Sequence, residues 1–317
     1  MPSPDSSGSF DVVTVTLNPA IDRTLTIPRF TPGAVNRATH EESRAGGKGI
    51  NVAAALAELG HRVAASGVLG ADNDAVFRAL FTALRIEDAC LRVPGATRFG
   101  FKVFDPEKGQ TTDINLPGLV PGADALGQID AVLQSLSMTW CVLAGSLPPG
   151  VPATQYADLV RLLRGRGIRV ALDTSGEPLR AALSARPSLL KPNRHELEQV
   201  LGHPLGSSAA VLEAARRLLD QGIAEVILSD GESGAWFVTP EGALHARPPR
   251  IDVRSTVGAG DALVAGALSA HLRGLPPAER ARFATASSLV ALTRAPSDRF
   301  DPARHAAFCA QVEVTAA

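Results

Sequence analysis

The residue types best suited to chemistry form a glycine-rich run, STVGAGD, at Ser255–Asp261, directly before an apolar segment that predicts a helix. The small residues Gly258, Ala259 and Gly260 let backbone N–H groups face the space ahead of that helix, where the helix dipole favours an anion. Asp261 adds a carboxylate in the first turn. An anion cradle beside an acid suits phosphoryl transfer, in which the acid accepts an alcohol proton. A plain helix N-terminus with a favourable acid is the alternative.

A second glycine-rich run, GGKGIN at Gly46–Asn51, also leads into a predicted helix. It lacks the G-x-x-x-x-G-K-[ST] spacing of a P-loop. The glycines let the backbone approach a ligand closely, and Lys48 and Asn51 add polar side chains. This combination favours hydrogen bonding to a polyhydroxylated, anionic ligand. For such a run considered alone, a tight turn is the alternative.

The segment Lys191–Glu196, KPNRHE, follows a short predicted strand. Asn193 and Glu196 are spaced so that they share one face of the opening helical turn. An amide oxygen and a carboxylate are hard ligands that suit Mg²⁺. The same two residue types also form a helix capping box, and the two roles are compatible.

The segment Ser229–Gly234, SDGESG, follows a short buried strand predicted at Val226–Leu228. Its glycines fit a loop that binds the phosphates of a nucleotide. They also fit a plain hairpin turn, and without the other motifs the turn is favoured.

The elements that must position these motifs predict an α/β fold. Short apolar strands such as Asp11–Leu17 and Trp140–Ala144 alternate with amphipathic helices such as Ser208–Gln221. This pattern indicates a doubly wound, mostly parallel sheet flanked by helices, which binds ligands at the carboxyl ends of its strands. We expect one domain over residues 10–317, preceded by a disordered polar tail at residues 1–9.

Two segments, at about residues 22–44 and 97–116, interrupt the alternation of strands and helices. Their stretches Thr24–Ile27, Ala34–Thr39 and Arg98–Phe104 alternate apolar and polar residues, as strands with one exposed face do. We therefore expect a small antiparallel β lid inserted into the larger domain.

The composition excludes several classes of protein. With 31 basic and 32 acidic residues among 317, the net charge is −1, which lacks the basic excess of a nucleic-acid-binding protein. No apolar run approaches the roughly 18 residues that a membrane span needs, and the first residues do not predict a secretion signal. The three cysteines, Cys90, Cys141 and Cys309, form no C-x-x-C pair. Neither a zinc site nor a disulfide is therefore expected, and the expected location is the reducing cytoplasm.

Taken together, the motifs resemble those of the ribokinase-like (PfkB) family of carbohydrate kinases, from about residue 12 to residue 292. They occur in the family's order, as TLNPAID (Thr16–Asp22), GGKGINVA (Gly46–Ala53), AGSLPPG (Ala144–Gly150), LDTSGE (Leu172–Glu177), KPNRHE and STVGAGD. Each motif is weak alone, and the set is highly specific. Other segments resemble the branch that acts on phosphosugars: TLNPAIDRT, AVNR (Ala34–Arg37), TRFGFKV (Thr97–Val103) and TTDINLPG (Thr111–Gly118).

The resemblance implies a ribokinase-like fold and transfer of the γ-phosphate of ATP, assisted by Mg²⁺, to O6 of D-fructose 1-phosphate. Asp261 would be the catalytic base, with Gly258, Ala259 and Gly260 as the anion hole. The implied metal-organising residues are Asn193 and Glu196. The implied nucleotide contacts are Lys191, Asn193, Ser229, Gly231, Gly234 and Gly260. The implied sugar-phosphate contacts are Asp22, Gly46, Gly47, Lys48, Asn51, Arg98, Lys102 and Asn115. Of these, Arg98 and Lys102 are the basic lid residues assigned to the phosphate that the substrate already carries.

The sequence departs from the family pattern in two places. Gly100 stands where the family commonly has Asn, which removes a sugar contact. In the nucleotide loop the family commonly reads S-L-G-A-x-G, whereas this chain has Asp230 and Glu232 at the Leu and Ala positions. Acids beside a triphosphate are unfavourable unless they face solvent or a metal.

Three alternatives remain open. The first alternative lies within the same family and is the activity of a tagatose-6-phosphate kinase or a 6-phosphofructokinase. A non-catalytic sugar-phosphate sensor is a second class, against which the retained Asp261, Asn193 and Glu196 argue. A nicotinamide oxidoreductase is a third, but the G-x-G-x-x-G fingerprint after the first strand is missing. The expected partners are a sugar phosphate and ATP, with no nucleic acid or membrane, and a second copy of the chain joined through the exposed lid edge.

Overall fold

A computed structural model describes residues 9–122, 124–294 and 298–317. All but one residue of the tail expected at residues 1–9 lie outside the described residues. The strands are β1 (Phe10–Thr16), β2 (Ala20–Thr26), β3 (His40–Gly46), β4 (Val63–Gly70), β5 (Glu87–Val93), β6 (Phe99–Asp105), β7 (Gln110–Asn115), β8 (Met138–Ala144), β9 (Arg169–Asp173), β10 (Leu189–Leu190), β11 (Glu225–Ser229), β12 (Ala235–Thr239), β13 (Gly242–Arg247) and β14 (Glu313–Ala316). The helices are α1 (Lys48–Glu58), α2 (Ala75–Leu84), α3 (Ala125–Ser135), α4 (Gln155–Gly165), α5 (Gly176–Leu183), α6 (Arg194–Leu201), α7 (Ser208–Asp220), α8 (Ala259–Leu272), α9 (Pro277–Thr293) and α10 (Pro302–Gln311).

The main sheet has ten strands in the order β14-β13-β12-β11-β10-β9-β8-β1-β4-β5. All neighbours from β11 to β5 pair in parallel. The remaining strands, β12, β13 and β14, add an antiparallel meander at one edge. The prediction of a doubly wound, mostly parallel sheet is thereby confirmed. The order reverses at β1, so the carboxyl ends of β1 and its neighbours border the crevice in which such sheets bind ligands.

Helices cover both faces of this sheet because successive residues of each central strand point to opposite sides. Val13 and Val15 of β1 pack with the buried residues of α3 to α7, whereas Val12 packs with those of α1, α2, α8, α9 and α10. In the described part of the chain, no helix combines the length and apolar character that crossing a bilayer requires.

Helix α8 is buried on nearly all sides between the sheet and neighbouring helices. Helix α9 approaches α8 closely at Gly266, where a Cβ atom would lie 2.5 Å from Ser287 Oγ and 2.8 Å from Ala284 Cα. Such close packing leaves α8 little freedom to shift. The helix that carries Asp261 is therefore tightly packed against its neighbour α9.

A second sheet of four strands, in the order β3-β2-β6-β7, forms the predicted lid. Its outer pairs β2–β3 and β6–β7 are antiparallel, and its central pair β2–β6 is parallel. The prediction of strand structure at Ala34–Thr39 is wrong, because β3 begins only at His40. The side chain of Asn36 binds the backbone N–H and carbonyl of Thr31 and the carbonyl of Ala34, which stabilises a turn in place of strand pairing.

Candidate active site

The motifs meet at one edge of the main sheet because they follow neighbouring parallel strands. Asp173 ends β9, Lys191 directly follows β10, and Ser229 ends β11. The glycine-rich run before α1 reaches the same edge. There Gly49 packs so closely on the end of β1 that a Cβ atom would lie 2.4 Å from Thr16 Oγ1.

Asp261 lies in the first turn of α8, and its side chain faces the other motifs. The residue is only 6% exposed. Asn51 of α1 donates a hydrogen bond from Nδ2 to Asp261 Oδ2 at 2.7 Å. The carboxylate is thus buried among polar residues of the predicted site, and not against unrelated apolar packing.

The surroundings of Asp261 suit a general base. Burial, followed by the negative charge of Asp173, raises the pKa of Asp261 from 3.8 to about 6. The hydrogen bond from Asn51 and the charges of Lys48 and Lys191 oppose this rise. A base whose pKa lies close to neutral pH is mostly ionised there and still binds a proton strongly.

We expect the acidic limb of the profile of kcat/KM against pH to reflect the ionisation of Asp261. Because ionised Asp261 accepts the proton, kcat/KM should hold above about pH 6 and fall below it as the carboxylate becomes protonated. The measurement is kcat/KM for the sugar substrate from pH 4.5 to 9 at constant ionic strength. A profile that stays flat below pH 5 would contradict the assignment of the base.

The backbone ahead of α8 forms the predicted anion cradle. Gly258 is the N-cap of the helix with φ at 79°, and no side chain caps the first-turn N–H groups. That left-handed φ favours glycine. The ammonium of Lys191 lies beside the cradle, 3.6 Å from the place that a Cβ atom on Gly260 would take. Free N–H groups and a nearby cation together suit developing negative charge.

Asp173 joins two lysines in the centre of the site. Its Oδ1 lies 2.9 Å from Lys48 Nζ and 3.4 Å from Lys191 Nζ, and Lys48 Nζ is 3.7 Å from Glu196 Oε1. Burial opposes the charge of Lys48, but Asp173 and Glu196 outweigh it, and the pKa of Lys48 rises above its ordinary value. Asp173 was not among the residues predicted from the sequence to form the site. An acid directly after the apolar residues of β9, within the LDTSGE motif, was the available signal.

Asn193 and Glu196 form the complete capping box of α6. Asn193 Oδ1 accepts from the Glu196 backbone N–H at 2.8 Å, and Glu196 Oε2 accepts from the Asn193 backbone N–H at 2.8 Å. The capping interpretation is therefore confirmed. Each side chain retains acceptor capacity, because an amide oxygen and a carboxylate each have further lone pairs.

The same two residues fit a divalent cation bound together with a nucleotide. Among the described residues, no three His, Cys, Asp or Glu side chains gather as a cage for a metal. Mg²⁺ is commonly held by only one or two carboxylates together with substrate phosphates. Glu196, with Oε1 near Lys48, offers one such carboxylate at this edge.

The segment Ser229–Gly234 is the turn between the antiparallel strands β11 and β12. It also contacts the loop before α6: Ser229 forms a bridge with Asn193, and its N–H donates to the Pro192 carbonyl at 3.1 Å. The predicted turn is thus present, at the carboxyl end of β11, beside the candidate metal-organising residues.

The lid brings further predicted residues over the glycine-rich run. Asp22 of β2 packs against Gly46, where a Cβ atom would lie 2.7 Å from its carboxylate. A Cβ atom on Gly100 would meet Asp22 Oδ1 at 2.9 Å and Asn115 Oδ1 at 3.4 Å. An Asn at position 100 would therefore displace Asp22. Asn115, directly opposite Gly100 in β7, supplies an amide in that place.

The two basic lid residues both have partners within the chain. Lys102 Nζ lies 3.4 Å from Asp22 Oδ1 and 3.8 Å from Asp113 Oδ1. Arg98 donates to the backbone carbonyls of Asn18, Pro19 and Leu116. Burial lowers the pKa of Arg98, and the nearby Asp22 carboxylate opposes that effect. Because a guanidinium has five N–H donors, these three bonds leave donors for a phosphate.

The geometry therefore unites the predicted residues in three connected groups. A partly buried network around Asp173 holds Lys48, Asn51, Lys191, Glu196 and Asp261. The lid group surrounds Asp22 and reaches that network through the glycine-rich run. The nucleotide loop joins it through the bridge between Ser229 and Asn193. A buried base, a free helix N-terminus and paired lysines are the components of an enzyme that transfers phosphoryl groups to alcohols.

Comparisons with known proteins agree with this class. A model of the "pfkB family carbohydrate kinase" family matches residues 12–302. The 1-phosphofructokinase of Rhodobacter capsulatus is 47% identical over 306 residues, which cover 96% of this chain and 97% of that protein. The 1-phosphofructokinase of Xanthomonas campestris pv. campestris is 48% identical, with 93% and 95% covered.

A solved structure agrees as well. Phosphofructokinase-2 from Escherichia coli, in complex with substrates and products, superposes with a TM-score of 0.88 at 29% identity. The match covers 94% of this chain and 98% of that chain. The chain belongs to the pfkB family of carbohydrate kinases. The predicted family and fold class are confirmed, membership implies the use of ATP, and the nicotinamide oxidoreductase alternative is set aside.

Proposed function

We propose that this enzyme transfers the γ-phosphoryl group of ATP to O6 of D-fructose 1-phosphate, giving ADP and D-fructose 1,6-bisphosphate. The observation that carries the chemistry is buried Asp261 beside a free helix N-terminus, held by Asn51. The choice of sugar phosphate is supported by the two curated relatives, which are named 1-phosphofructokinase. We place the reaction in the cytoplasm, which supplies ATP and keeps the three free thiols reduced.

In the proposed mechanism, the O6 hydroxyl donates its proton to Asp261 while its oxygen forms the new bond to the γ-phosphorus. The bond between that phosphorus and the bridging oxygen breaks, and ADP leaves with the electron pair. The N–H groups of Ala259 and Gly260, together with the Lys191 ammonium, stabilise the charge on the transferred group. Glu196 and Asn193 would hold Mg²⁺, whose charge would further neutralise the phosphates.

The lid completes the proposed site. Asp22 and Asn115 offer acceptors and donors for sugar hydroxyls, and Lys102 adds positive charge beside them. Closure of this sheet over the sugar would exclude water, which limits wasteful hydrolysis of ATP.

Replacing Arg98 with Ala should raise KM for the phosphosugar by about 10- to 100-fold, since a charge-assisted contact to phosphate is worth roughly 1.5–3 kcal/mol. The value of kcat should change much less, because the existing phosphate is bound before and during the reaction. Steady-state kinetics with the sugar phosphate varied at saturating ATP gives both constants.

A matched control for this variant is Arg166→Ala. Arg166 also donates to backbone carbonyls, those of Leu133 and Leu136, but it lies at the end of α4. Its loss should leave both constants unchanged. An unaltered KM in Arg98→Ala would count against a role of Arg98 in phosphate binding.

We also propose a homodimer joined through the lids. All six residues of the edge strand β7 are exposed, and Ile114 within it is 48% exposed. Sedimentation velocity at micromolar concentration should show a dimer, and Ile114→Lys should shift it toward monomer, because charges block the pairing of edge strands. A wild-type monomer under these conditions would refute the dimer.

The proposed activity is tested by steady-state kinetics with ATP across fructose 1-phosphate, fructose 6-phosphate, tagatose 6-phosphate and the free sugars. We expect the highest kcat/KM with fructose 1-phosphate. A clear preference for either 6-phosphate would assign the alternative activity within the same family. Binding of ATP and sugar phosphate without turnover would indicate the sugar-phosphate sensor.

A further inference from the structure

The two acids that set the nucleotide loop apart from the family pattern have different surroundings. Glu232 is exposed to solvent. Asp230 is largely buried, with a side chain that is 15% exposed, and its Oδ2 lies 2.5 Å from Arg194 Nη2. Arg194 is the first residue of α6 and belongs to the KPNRHE motif. The more buried acid of the loop is therefore matched by a cation from the neighbouring motif.

The ion pair lies where the two loops already touch. Ser229, next to Asp230, bridges to Asn193, next to Arg194. Arg194 also donates from Nη1 to the Leu205 carbonyl beyond α6 at 3.1 Å, so its guanidinium is held from both sides. The backbone of Asp230 closes the turn through its N–H, which donates to Gly234 at 2.9 Å.

We propose that Arg194 is a positioning residue that acts through Asp230: its pairing with Asp230 cancels the additional negative charge of the nucleotide loop and so lets the loop accept a nucleoside triphosphate. This inference rests on the proposed function, because it takes the loop to contact the phosphates. An unpaired carboxylate at this place would repel a polyphosphate and would be poorly solvated. Pairing removes both penalties, which explains how this chain tolerates an acid in a phosphate-binding loop.

The pair differs from an ordinary surface ion pair. Arg217 and Glu213 on α7 form a pair in which both side chains are more than half exposed, and such pairs contribute little. Arg194 and Asp230 are both mostly covered. The loss of one partner should therefore leave the other as an uncompensated, partly buried charge.

The test is a double-mutant cycle read out as KM for ATP at saturating sugar phosphate. Arg194→Ala should raise KM for ATP by about tenfold, since one uncompensated charge at close range has an effect of this order. Asp230→Ala should not raise it. The double variant should return to within about threefold of wild type, because it contains neither charge. Arg217→Ala is the matched control and should match wild type.

The double variant separates charge compensation from a purely structural role of Arg194. It lacks the bond to the Leu205 carbonyl just as the single variant does, so a structural role predicts that both are equally impaired. That outcome would overturn the proposal, as would an unchanged KM for ATP in Arg194→Ala. Thermal unfolding of each variant, measured without ligands, identifies any loss that arises from misfolding.

Calorimetric titration with MgATP in the absence of sugar distinguishes this inference from the proposed function. Weak binding in Arg194→Ala and restored binding in the double variant support the inference whatever sugar the wild type phosphorylates. If the wild type fails to phosphorylate fructose 1-phosphate but the variants still show this pattern of MgATP affinities, only the proposed substrate is wrong. Equal affinities for MgATP across the four proteins would overturn the inference.

Discussion

Asp261→Asn should lower kcat by about 10³-fold or more, the range expected for loss of a general base. The amide has nearly the size and shape of the carboxylate, but it cannot accept the O6 proton. KM for both substrates should remain within about threefold, because the cradle, the lysines and the lid are unchanged. Single-turnover kinetics on purified variant and wild type measure the chemical step directly.

The free energy of unfolding of the Asp261→Asn variant provides a control for folding. Burial raises the pKa of Asp261 from 3.8 to about 6, so the ionised carboxylate is destabilising in the folded protein. The neutral amide should therefore increase the free energy of unfolding at pH 8 by on the order of 3 kcal/mol. This gain should disappear below about pH 4, where the wild-type carboxyl is neutral in both states. Turnover close to wild type would refute the base, and a less stable variant would contradict its burial as an anion.

Lys48→Met should have the second-largest effect, a fall in kcat/KM of about 10²-fold, the order expected for loss of one electrostatic group in an active site. Lys48 is the cation between Asp173 and Glu196, and it also lowers the pKa of Asp261. Without Lys48, the pKa of Asp261 should rise further, because of the two lysines only Lys191 then remains to oppose the effect of the negative charge of Asp173. The acidic limb of kcat/KM should move above the wild-type position near pH 6.

The pH profile distinguishes this electrostatic role from a simple contact with the sugar. If Lys48 only binds the substrate, its loss should raise KM and leave the acidic limb in place. Lys48→Arg keeps the charge and is the matched control, in which the limb should stay close to wild type. A limb that does not move in Lys48→Met, in protein shown to be folded by circular dichroism, would contradict the proposed coupling.

The parts of the site that depend on residues close together in the chain could be predicted from the sequence. The cradle before α8, the capping box of Asn193 and Glu196 and the turn after β11 each follow from residue types at short spacing. The central sheet was likewise predictable, because its strands are short, apolar and buried on both faces.

The sequence was less informative where contacts join distant segments. Asp173 acquires its role from Lys48, 125 residues earlier in the chain, and no local pattern records that contact. The edge strand β5 was missed because Glu87–Val93 is polar at its start and only partly buried. The pairing of Arg194 with Asp230 likewise needed the fold, because it joins two motifs that are far apart in sequence.

The most direct test of the central claim is a crystal structure of the wild-type enzyme with fructose 1-phosphate and a non-hydrolysable ATP analogue. We expect a carboxylate oxygen of Asp261 within about 3.2 Å of the O6 hydroxyl, with O6 in line with the γ-phosphorus. We also expect the γ-phosphate at the N–H groups that begin α8. A complex in which Asp261 stays bound to Asn51 alone and another acid contacts O6 would contradict the account.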